Sequence, residues 1–106
     1  MQNTESYMGK MNSPKRDNKQ TAIEMAVLYQ KVLSDMNVGS EQIKDHGFVP
    51  VKYYRLRHIR WMAEQAEKFA REGFIHKAQL WLGFVQGVLW SHEIRSVDLL
   101  RQDNTP

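Results

Sequence analysis

Between Lys77 and Trp90 the chain carries aliphatic and aromatic residues around most of a helical circumference, with Gly83 and Gly87 four apart on the less apolar side. On a helical wheel Ala78, Trp81, Leu82, Phe84, Val85, Val88 and Leu89 form one broad stripe, while Leu80, Gly83, Gly87, Trp90 and Ser91 face roughly the other way. A helix apolar on so much of its surface needs cover from two directions. Either the rest of the chain supplies both covers, or one of them comes from another molecule.

The remaining periodicity is also helical. From about Lys19, Ala22, Met25, Ala26, Tyr29, Val32, Leu33 and Met36 recur at intervals of three and four through good helix formers. Asn37 and Gly39 tolerate positive φ and end that helix, Ser40 caps a short turn running towards Lys44, and Gly47 stops it. Pro50 suits the first turn of a second helix, with Phe48 and Val49 placed to pack back on Tyr53 or Tyr54. This helix runs to about Glu72 with Leu56, Ile59, Met62, Ala63, Ala66, Phe69 and Ala70 on its apolar side. Its polar side holds Glu64, Lys68, Glu67 and Arg71 in favourable i,i+4 order. Gly73 breaks it so shortly before the next helix that the two form an antiparallel hairpin. That next helix ends near Ser91 to Glu93. Ser96 then caps a last short helix, with Asp98 in its first turn and Leu99 and Leu100 folding back on the core.

The expectation is therefore an all-α fold, a small helical bundle built on an antiparallel hairpin, with three main helices and a short C-terminal one. One domain spans 19–104, and residues 1–18, polar and aperiodic, form a flexible arm. Within 106 residues such a domain has a high surface-to-volume ratio, which makes association with a partner favourable. The lack of cysteine excludes thiol catalysis and a disulfide framework and fits a reducing cytoplasm. No apolar run is long enough for a bilayer, and no hydrophobic leader opens the chain, so a cytoplasmic location without membrane contact is expected.

Three constellations carry functional readings. Glycine within a helix costs roughly 1 kcal/mol relative to alanine, so the Gly83/Gly87 pair calls for a backbone approaching closely. The preferred source is the first helix or the terminal short helix of the same subunit. The alternative is a homodimer in which Leu80, Gly83, Gly87 and Trp90 form the interface, with Leu80 and Trp90 as anchors.

On the second helix, Tyr54, Arg57, His58, Arg60 and Trp61 lie away from the apolar stripe and form a candidate partner-binding face. Aromatics interleaved with cations suit nucleic acid, and Lys52, Arg55, Arg57 and Arg60 follow one another without an acid between them. The wheel spreads those cations, so packing of Tyr54 and Trp61 against the first helix is preferred. The net charge of +3 is too small to decide. Lastly, His46, His58, His76 and His92 read as ordinary surface or interface residues, since Gly73 interrupts the Glu72/His76 pair and no metal motif accompanies them. No phosphate loop, nucleophile elbow or acid/base pair occurs, so no enzyme, metal or cofactor is expected.

The triplet Arg57-His58-Ile59, the segment Trp81-Leu82-Gly83-Phe84-Val85-Gln86-Gly87-Val88-Leu89-Trp90 and the tail from Ser96 to Asn104 together cover about half the chain. In these residues it resembles small accessory proteins of tailed bacteriophages and prophages. The resemblance implies a protein made in the host cytoplasm that binds and inhibits or modulates a host protein, with defence components among the targets. A nucleic-acid-binding regulator using the basic second helix, or a sponge for a nucleotide signal, are the alternatives. The resemblance assigns no functional residue.

Overall fold

The computed structural model describes residues 17–44 and 51–105. They form α1 (Asn18–Asp35), α2 (Lys52–Arg71), α3 (Ile75–Ser91) and α4 (Val97–Asp103), with no strand among the described residues. The three longer helices pack on one another, α2 against both α1 and α3, and α4 folds back across the end. The expected class and hairpin are present.

Helix starts follow local hydrogen bonding. The Asp17 carboxylate accepts from the Gln20 amide at 2.8 Å, so α1 begins at Asn18, one residue inside the expected arm, with Asp17 as its cap. Residues 1–16, and the roles proposed for His46, Gly47, Phe48, Val49 and Pro50, lie outside the described residues. Ser96 caps α4 through the Leu99 amide at 3.2 Å.

Helix ends share one device. After α1, α2 and α3 a residue with φ of 62°, 93° and 61° (Asn37, Gly73, Glu93) turns the chain. The amide that follows then reaches back to a carbonyl five residues earlier: Val38 to Leu33, Phe74 to Phe69 and Ile94 to Leu89, each at 2.8–2.9 Å. Gly39, one of the two residues expected to take positive φ after α1, does not have it.

Alanine sets the interhelical spacing. Ala22 and Ala26 of α1, Ala63, Ala66 and Ala70 of α2, and Ala78 of α3 are all buried. Such small side chains let helix axes approach, and Tyr29, Leu33, Ile59, Leu82, Val85 and Leu89 fill the space between them.

Two expectations need correction. Residues 40–44 form no helical turn: the Ser40 hydroxyl, read as a cap, donates to Glu64 Oε1 at 2.7 Å, because the segment lies against α2. Leu99 is exposed and only Leu100 packs on the core, since a helix of seven residues offers one inward side.

Candidate functional site

The polar side of α2 is occupied from within the chain. Arg60 Nη1 donates to the Val38 carbonyl at 2.6 Å, Arg57 Nη2 meets Glu41 at 2.9 Å, and the Ile43 amide donates to His58 Nδ1 at 3.0 Å. A further bond runs from the Glu41 amide to the Arg57 carbonyl. Arg57, His58 and Arg60 thus strap the 38–43 segment onto α2. Accepting at Nδ1 requires a neutral imidazole at that atom, and burial holds the His58 pKa below its ordinary value.

Trp61, expected to face α1, turns to α3. Its ring lies 5.9 Å from Trp81, with His58 stacked at 5.5 Å on one side, and Trp81 takes the edge of Phe69 at 5.1 Å. Lys77 Nζ covers Phe69 at 4.4 Å. This column runs along the hairpin seam and locks α2 to α3. Tyr54, the remaining member of the predicted face, does not pack into α1 either. It stays exposed beside Tyr53, with the Arg57 guanidinium within 6 Å of both rings.

A polar cluster joins α1, α3 and α4. The hydroxyl of the fully buried Tyr29 donates to Asp103 Oδ2 at 2.7 Å and accepts from Gln86 Nε2 at 2.9 Å. Arg95 grips the same carboxylate through both oxygens, at 2.9 and 2.7 Å. Burial pushes the Tyr29 pKa far up, so the phenol stays a neutral donor. Burial also works against ionised Asp103, but hydrogen bonds from Arg95 and Tyr29 outweigh it and hold the carboxyl below its usual range. The sequence offers one hint of this cluster, Gln86 set among apolar residues, and the wheel gives that residue no partner. Gln30 plays a similar part between α1 and α2, donating to Glu67 at 2.8 Å and keeping that carboxyl acidic, with Arg71 adding to the effect.

The outer side of α3 remains open. Leu80, Phe84 and Trp90 are 62%, 58% and 56% exposed, far above what a core helix leaves to water. Gly83 and Gly87 are exposed between them. A methyl group added at either would meet nothing within 4 Å among the described residues. The preferred reading of the glycine pair, close packing of α1 or α4 within the subunit, is therefore wrong. Close approach happens on the opposite side of α3, at Ala78, and buries that side alone. Phe84, assigned to the core stripe, belongs to the open side, because the buried arc is the narrower one through Ala78, Leu82, Val85 and Leu89.

Two shallow cavities lie elsewhere, one between α1 and α4 and one at the C-terminal end of α3. One of about 240 Å³ is lined by Thr21, Glu24, Met25, Leu28, Gln102 and Asp103, and one of about 250 Å³ by Trp90, Glu93, Arg95 and Ser96. The first presents two carboxylates and no cation. The cation of the second is already committed to Asp103. Among the described residues no three of His, Asp and Glu stand where they would hold a metal ion, and no helix is long and apolar enough to cross a membrane. No protein-family model, curated protein or solved structure matches this chain.

Proposed function

We propose that the protein is a non-enzymatic binding module that engages another polypeptide through the open side of α3. One observation carries this reading: a contiguous apolar stripe of Leu80, Phe84 and Trp90, with two glycines in its centre, on a helix whose other side already supplies the core. Three large side chains more than half exposed on one helical face carry a hydration penalty that contact with a partner removes. Glycines between them let a partner helix sit close, in the manner of a helix laid into an apolar groove. The resemblance to phage accessory proteins extends the reading to modulation of a host protein in the cytoplasm.

The nucleic-acid alternative has less behind it. Arg57 and Arg60 are engaged with Glu41 and Val38, which leaves Lys52 and Arg55 as the exposed cations of the basic run. A nucleotide sponge finds carboxylates or a committed arginine in the two cavities described.

Site-specific photo-cross-linking tests the proposal. A photoreactive phenylalanine analogue at position 84, irradiated in bacterial host lysate, is expected to form a discrete protein adduct, whereas the same analogue at exposed Lys31 on α1 is not. An equal or absent yield at position 84 would contradict the reading.

A further inference from the structure

We propose that the polypeptide seated on the open side of α3 is a second copy of this chain, laid antiparallel across a two-fold axis beside Val85. This rests on the reading of α3 as the docking surface and commits that surface to one partner.

The spacing is the first support. Leu80, Gly83, Gly87 and Trp90 follow at intervals of three, four and three residues, the same in either direction. Two α3 helices running oppositely with midpoints aligned place Leu80 against Trp90 of the other copy at both ends, and Gly83 against Gly87 in the middle. Large meets large where the axes diverge, and backbone meets backbone where they cross. Phe84, one residue from the midpoint and off the centre line, then lies beside the Phe84 of the other copy. The contact is isologous and closes on itself.

The available area is the second support. With aromatic side chains presenting roughly 150–250 Å², Leu80, Phe84 and Trp90 at their observed exposures offer about 300–400 Å² of apolar surface per copy. That is close to half of the roughly 800 Å² that each partner gives to a standard interface. The glycine backbone and the exposed Gln79 and Ser91 of α3 extend the patch. A contact of this size makes an exchanging dimer. Nothing in α1 or α2 obstructs it, because both pack on the Ala78, Leu82, Val85 and Leu89 side.

Sedimentation equilibrium of the full chain from low micromolar to submillimolar concentration tests this. The mass should rise from 12.5 kDa towards twice that value. Phe84→Asp should stay at the monomer mass throughout with unchanged helical circular dichroism. Gly87→Ala, which the protomer has room for, should raise the dissociation constant about tenfold without unfolding the chain. A parent chain at monomer mass at the highest concentration, or a Phe84→Asp chain that dimerises like the parent, overturns the proposal. A monomeric parent that still forms a position-84 adduct with a different protein removes the second copy and keeps the docking surface. A monomer with no adduct removes both.

Discussion

Replacing Tyr29 with Phe isolates what the buried polar cluster contributes. The ring volume is kept, so no cavity opens in the core, and the change removes one oxygen that donates to Asp103 at 2.7 Å and accepts from Gln86 at 2.9 Å. A hydrogen bond to a charged group contributes roughly 1.5–3 kcal/mol, and the orphaned Gln86 amide adds a part of its desolvation cost, so the loss should be about 2–3 kcal/mol. Asp103 keeps both Arg95 bonds, which sets the upper end; among the described residues Gln86 keeps Met25 Sδ at 3.4 Å, which sets the lower. For a domain this small that corresponds to a fall in Tm of roughly 10–20 °C. Urea unfolding followed by far-ultraviolet circular dichroism gives the global value. Hydrogen exchange of the Leu100 to Asp103 amides gives the local one, and these should exchange faster because α4 loses an anchor. A stability loss below about 0.5 kcal/mol with unchanged α4 exchange would refute the assignment of the cluster as the clasp that holds α4.

Other consequences are equally open to measurement. Glu93 takes the left-handed position that Gly73 takes after α2, so Glu93→Gly should raise stability by roughly 0.5–1 kcal/mol in thermal unfolding; a loss would mean that the Glu93 side chain matters more than its backbone. In a Phe84→Asp background, where self-association is removed, Gly87→Ala should stabilise the protomer by roughly 0.4–1 kcal/mol, since its methyl group meets open space; destabilisation would reveal a close neighbour within the subunit. Acid should act in two stages. His58 has its pKa held below 6.5, so its contribution is complete above that unfolded value and is lost as pH falls through the depressed folded one, releasing Ile43 from α2. Asp103 is depressed below 3.8, so its contribution is complete above that value and is lost at still lower pH, freeing α4. Exchange rates of the Ile43 and α4 amides, corrected for intrinsic pH dependence, should rise in that order, and the reverse order would contradict the assignments.

What could be read from residues alone was local. Ser96 caps α4, Gly73 turns the hairpin and the apolar stripe of α2 is buried, because each depends on side chains within a few positions of one another. What escaped was tertiary. Arg57, His58 and Arg60 look like a free basic face until the 38–43 segment folds over them, a contact between residues roughly twenty apart that no period reports. Tyr29 meets Asp103 across 74 residues, and only the docking of α4 brings them together. The wheel of α3 separates two faces correctly in broad outline, yet it gives no way to know that alanines on one side already provide the close approach that the glycines on the other side invite. Phe84 reads as a core residue for the same reason: it lies at the border of the stripe, and the width of the buried arc is decided by α1 and α2 rather than by α3 itself.

In the proposed dimer Gly83 and Gly87 stay small because α3 of a second copy crosses there in the opposite direction. The chain has no cysteine, so single cysteines report on that crossing without background. In the antiparallel pair, Gly83 and Gly87 of different copies face one another within the roughly 5.5–6 Å Cα separation that a disulfide spans. Two Gly83 residues are offset by about 6 Å along the axis alone, which with the lateral gap reaches the limit of bridging. Oxidising a mixture of Gly83→Cys and Gly87→Cys chains should therefore give a linked species of twice 12.5 kDa that neither chain gives alone. Equal linkage within each separate variant, or none in the mixture, would contradict the account.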